Sequence, residues 1–118
     1  VTPMVARSAS LKDGRWSAQI SCPPHDNFPG RNVAAPLAVQ DDVYVLEHGG
    51  SNAPGSLVLR GRLNADGTLR LRGAGVTGKP GGAKPYPAGF EARPVGEGYA
   101  GKGRLGRREC TLAISRIG

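Results

Sequence analysis

A chain of 118 residues, 38% hydrophobic and 21% charged, is long enough for one domain with a core and too short for two. Sixteen Lys and Arg against nine Asp and Glu give a net charge of +7 and a pI near 10.1, a surface attractive to nucleic acid, acidic glycans, lipid head groups or an acidic protein. No run of about 18 apolar residues is present, which excludes a spanning helix, and 19 Gly with 10 Pro interrupt nearly every stretch of a dozen residues.

Short period-2 strands take the place of helices. The first covers 14–22, with Trp16, Ala18 and Ile20 inward and Arg15, Ser17 and Gln19 outward. Pro23-Pro24 stop it, and the loop 25–32 carries His25, Asp26, Asn27, Phe28, Arg31 and Asn32. Strands at 33–40 and 43–48 are joined by Asp41-Asp42; Val43-Tyr44-Val45-Leu46 is too continuous for its faces to be assigned. The loop 48–55 offers His48, Ser51 and Asn52. Strands 56–63 and 68–74 form the clearest hairpin, with a turn at Ala65-Asp66-Gly67 and Gly67 left-handed in a G1 bulge. A Pro/Gly-rich loop, 79–87, holds Lys79, Lys84 and Tyr86, and strands at 89–95, 98–105 and 108–116 complete the chain.

The two ends match. Trp16, Ala18, Ile20 and Cys22 share one parity; so do Cys110, Leu112, Ile114 and Arg116. One antiparallel register pairs Cys22 with Cys110, Ile20 with Leu112, Ala18 with Ile114 and Trp16 with Arg116, with both apolar faces inward. With no C-x-x-C and no clustered His, this register favours a Cys22–Cys110 disulfide over two inert thiols or a zinc site. Eight up-and-down strands make the first and last antiparallel, as that register requires. The expectation is an all-β, eight-stranded antiparallel up-and-down barrel closed by its first and last strands; a two-layer β-sandwich is the alternative. Residues 1–13 read as an N-terminal extension and 14–118 as a single barrel domain. A disulfide implies a secreted or periplasmic setting. Val1-Thr2-Pro3-Met4 shows no charged-then-apolar leader, so any export signal is expected to have been removed already.

Gly14-Arg15-Trp16 is a G-x-W on the first strand, and Arg116 lies near the end of the last. These residues resemble the calycin superfamily, the lipocalin- and avidin-type secreted up-and-down barrels. The resemblance implies that Trp16 packs under Arg116 and closes one barrel end, and that the chain is a binding protein rather than an enzyme. It transfers no ligand, and the Cys22–Cys110 spacing lies outside the calycin pattern. A looser likeness extends to small secreted bacterial barrels that inhibit lysozymes or proteases.

Two surfaces are candidates for function. The loops 25–32, 49–55 and 79–87 follow the first, third and fifth strands and gather at one barrel end, as binding loops do. Asp, Asn and Arg groups beside an aromatic ring suit a sugar, so the leading expectation is a lectin-like module binding a glycan or small polar ligand through His25, Asp26, Asn27, Arg31, Asn32, Ser51, Asn52 and Tyr86. The second candidate is the central hairpin, where Arg62 falls opposite Arg70 and Arg60 opposite Arg72 on the polar face. Like charges across a ladder destabilise it, so this block suits a secreted inhibitor docking an acidic protein, unless acids such as Glu47 or Glu91 merely interleave. Nucleic acid would bring stacking aromatics, and the alternating residues here are Leu and Gly. His25 and His48, with Asp26 or Asp42, carry no catalytic or metal signature, and no cofactor motif is present. The expectation is a non-enzyme without metal or cofactor, its narrow lumen filled by its own side chains.

Overall fold

The structure is a computed structural model and describes residues 15–24, 29–40, 43–50, 53–78 and 84–117. Eight strands run β1 (Trp16–Cys22), β2 (Arg31–Gln40), β3 (Val43–His48), β4 (Leu57–Leu63), β5 (Leu69–Val76), β6 (Pro85–Val95), β7 (Gly98–Leu105) and β8 (Arg108–Arg116). Each pairs antiparallel with the next, and β8 returns to β1, so the sheet closes into a barrel and the sandwich is set aside. The extension 1–13 lies outside the described residues.

The seam follows the parity of the chain ends. Trp16 faces Arg116, Ala18 faces Ile114 and Ile20 faces Leu112 across β1 and β8. One step further, Cys22 and Cys110 are joined by a disulfide with Cα atoms 4.3 Å apart. At the other end of the seam the Arg116 guanidinium lies 5.8 Å from the centroid of the Trp16 ring, within cation–π range.

Alternation then fills the lumen. Trp16, Ile20, Leu46, Leu57, Leu59, Leu69, Leu71, Phe90, Leu112 and Ile114 are all buried in one cluster. The run at 43–46 resolves by pairing: Tyr44 and Leu46 are buried, and Val43 and Val45 lie on the opposite face. At Gly61, which shares parity with Leu57 and Leu59, the neighbouring strand comes so close that an added Cβ would land on the Arg70 carbonyl oxygen. The close approach lets β4 and β5 curl tightly enough to close a small barrel. Gly61→Ala should therefore lower unfolding free energy by about 3 kcal/mol, the upper part of the range for overpacked sites, as read by urea denaturation.

Two boundary differences from the sequence expectation move candidate site residues. β2 begins at Arg31 rather than 33, and β6 begins at Pro85 rather than 89, so Arg31, Asn32 and Tyr86 stand on strands and not in loops. Pro85 and Pro87 made that stretch read as a loop, yet both fit. The Pro87 carbonyl accepts from Gly106 N–H, so its nitrogen faces the β7 side, where pairing with β6 begins only at Ala88. By strand alternation Pro85 faces the same way. Its missing N–H therefore removes no ladder bond.

Candidate functional site

The β4–β5 hairpin is set by its turn. Gly67 has φ 90°, its N–H donates to Asn64 O at 3.0 Å, and Asn64 N–H donates to Thr68 O at 2.8 Å. This is the three-residue connection with a left-handed glycine that the sequence implies. The Asp66 carboxylate accepts from Thr68 N–H at 3.0 Å and from the Thr68 hydroxyl at 2.7 Å. These two bonds, the backbone one foremost, hold the Asp66 carboxyl below the usual carboxylate range. The turn fixes the register, and the register fixes the arginines: Arg60 faces Arg72 and Arg62 faces Arg70.

The barrel carries both rows further. Arg72 is paired with Gly89 and Gly89 with Arg104, so one row reads Arg60, Arg72, Gly89, Arg104 across four strands. Two residues along, Arg70 is paired with Glu91 and Glu91 with Lys102, giving Arg62, Arg70, Glu91, Lys102. All six cations are exposed. Arg70 donates to the Glu91 carboxylate at 2.8 Å, so an acid interleaves within one row, and the other row runs on to Glu109, the β8 partner of Arg104. Arg104 and Glu109 approach to 3.5 Å with side chains 66% and 81% exposed, a pair of small energetic weight. Among the described residues, no side-chain hydrogen bond or ion pair engages Arg60, Arg62 or Arg72.

Gly89 opens this face. With no side chain between Arg72 and Arg104, the surface dips into a depression of about 270 Å³, lined by Arg70, Arg72, Gly89, Glu91 and Lys102 over the buried Leu71 and Phe90. Adjacent strands lie about 4.8 Å apart, so the Arg72 and Arg104 backbones stand about 10 Å apart across it. Arg104, Lys102 and Gly89 were not among the residues singled out from the sequence. The two-residue connection between 95 and 98 already implied that Gly89 faces Arg104; what was missing was the register of β5 on β6.

The loop-end residues are placed differently from expectation. Arg31 and Tyr86 share the inward parity of their strands and meet: Arg31 Nη1 donates to Tyr86 Oη at 3.2 Å, and Arg31 Nη2 to Gly55 O at 3.0 Å. The Tyr86 ring lies over Gly75, where a Cβ would collide with it. Both side chains are half-buried and brace β2 against β6 across the barrel mouth. Asn32, by contrast, is exposed and outward on β2, paired with Ser21, and does not join them. Arg108 Nη2 donates to both Pro23 O and Pro29 O at 2.9 Å, tying the two feet of the first loop to β8 beside the disulfide. His25, Asp26, Asn27, Ser51 and Asn52, with Phe28, Asp41, Asp42 and Lys79, lie outside the described residues.

Among the described residues no three His, Cys, Asp or Glu come together as a metal-ligand group. No helix there is long and apolar enough to cross a membrane. The disulfide is compatible with an oxidising compartment. Comparison with family models, curated proteins and solved structures gave no significant match.

Proposed function

We propose that this chain is a non-enzymatic binding module, secreted or periplasmic, that docks an anionic partner on the outer face of β4–β7. The observation that carries the reading is the alignment of six exposed cations in two cross-strand rows, with Glu91 inside one row and Glu109 at the end of the other. Such rows oppose strand pairing, and an anionic ligand relieves that repulsion. The filled lumen leaves the rim and the outer wall as binding surface. The Trp16–Arg116 contact supports the calycin likeness and, with it, a binding role.

Charge reversal tests the face. Arg70 is left intact because reversing it would set a carboxylate against Glu91. Arg60→Glu/Arg62→Glu/Arg72→Glu should lose at least about a hundredfold in affinity for dextran sulfate at low salt, where each lost phosphate-like contact also lowers the salt slope. The equally exposed set Arg15→Glu/Lys84→Glu/Arg107→Glu removes the same charge elsewhere and should bind within a few-fold of the parent. Equal losses in both triple variants would mean that net charge alone is responsible, and the reading would fail.

The Arg31–Tyr86 contact favours a second reading, a lectin-like site at the long-loop end. A thermal-shift screen against neutral sugars separates the two. A hit lost in Asp26→Ala/Asn27→Ala and kept in the arginine triple variant would support the loop end over the wall.

A further inference from the structure

The depression at Gly89 has the form of a seat for one tetrahedral oxyanion. It has no side chain of its own at its centre; Arg70, Arg72 and Lys102 line it together with the Glu91 carboxylate, and Arg104, the β7 partner of Gly89 in the ladder, stands just outside that lining. A planar carboxylate satisfies one guanidinium fork. A sulfate ester presents three outward oxygens and can accept from forks on two sides at once. The remaining cations, Arg60 and Arg62 on β4 and Lys102 on β7, extend the charge to either side of the seat. Five of the six cations are arginine, the weakly hydrated and planar partner such an anion favours.

The same face discriminates between carriers of that charge. A protein partner needs an apolar or aromatic anchor at the centre of its interface. The residues beside the cations here are Val45, Val58, Ala74, Pro87, Gly89 and Ala100, none aromatic and none larger than valine or proline. Single-stranded nucleic acid binds through stacking on aromatics as well as through charge. Trp16, Tyr44, Phe90 and Tyr99 are buried, and Tyr86 is held at the mouth by Arg31. A linear polyanion that asks only for spaced charges fits, and in an oxidising, extracytoplasmic setting that polymer is a saccharide.

Building on the docking face proposed above, we infer that its ligand is a linear sulfated glycan, with one sulfate seated over Gly89 between Arg72 and Arg104. Gly89 offers a test that leaves every charge in place. An added Cβ there makes only ordinary contacts, the nearest the Leu71 carbonyl oxygen at 3.5 Å, so the backbone leaves room for a side chain at Gly89, and the β-branched Gly89→Val suits a strand. Binding is measured at physiological ionic strength to a heparin-derived oligosaccharide, its desulfated counterpart that keeps the uronate carboxylates, polyglutamate and a single-stranded DNA oligomer.

The sulfated chain should bind at least about tenfold more tightly than the other three, and Arg72→Gln/Arg104→Gln should remove at least about tenfold of that affinity. Gly89→Val should weaken sulfated-chain binding about tenfold with an unchanged or raised Tm. Desulfated chain bound as well as sulfated, or a Gly89→Val protein that binds like the parent, would overturn the sulfate seat while leaving an anionic docking face. Tighter binding of polyglutamate would point to an acidic protein, and of DNA to a phosphate chain; either overturns the inference. Wild-type affinity in Arg60→Glu/Arg62→Glu/Arg72→Glu would remove the face itself.

Discussion

Breaking the Cys22–Cys110 bond should lower unfolding free energy by about 4–5 kcal/mol, the chain-entropy value for a loop of this length. The bond spans 88 residues of sequence and ties the first strand to the last. In the reduced chain β1 must find β8 across nearly the whole sequence, and the loop entropy of that search opposes closure of the seam. Domains of this size hold roughly 5–15 kcal/mol in total, so the reduced protein would be left marginal. Urea denaturation of the oxidised protein, the protein under reductant and Cys22→Ser/Cys110→Ser measures this directly. The two unlinked forms, reduced and Ser-substituted, should agree with each other, and refolding should slow in both, because the most non-local pairing is no longer pre-closed. Equal midpoints with and without reductant would contradict the assignment.

Trp16→Ala should be nearly as damaging, at about 3–5 kcal/mol, the usual range for a large buried aromatic. Trp16 is 2% exposed and closes the barrel end opposite the disulfide, paired with Leu37 on β2 and Arg116 on β8. The loss belongs to the packed indole more than to the cation above it. Arg116 is exposed, so Arg116→Gln should cost only about 0.5–1 kcal/mol, the size of an exposed cation–π contact. Trp16 is the one tryptophan in the chain. The parent and Arg116→Gln are therefore followed by fluorescence, and Trp16→Ala by circular dichroism. Equal losses for the two variants would shift the weight from packing to charge.

The loop-end site was harder to read than the seam. Arg31 and Tyr86 were expected in loops because Pro, Gly and polar residues crowd around them. Both strands nevertheless extend: β2 pairs with β1 as far as Arg31 and Cys22, and on β6 Pro85 and Pro87 turn their nitrogens toward the side that β7 does not yet pair. Composition records that a proline lacks a donor. It does not record whether a donor was needed. What the sequence treats as two free ligand groups therefore becomes one brace across the mouth.

The seam and the hairpin were legible because local rules settle them. Parity assigns a face to each residue of a strand, two cysteines pin the register of the ends, and Asp66-Gly67 demands one kind of turn, which sets Arg60 against Arg72. The basic wall is another matter. Its two halves, β4–β5 and β6–β7, are each implied by a short connection, but they join through the register of β5 on β6, where Arg72 meets Gly89. A long connection leaves that register open, and a shift of two residues would set Arg72 against Pro87 or Glu91 instead. Closure of the whole barrel chooses among these, because every strand must satisfy a neighbour on each side at once. Sequence alone thus determined the barrel, its seam and four of the arginines; only the tertiary structure made them one face with a gap at its centre.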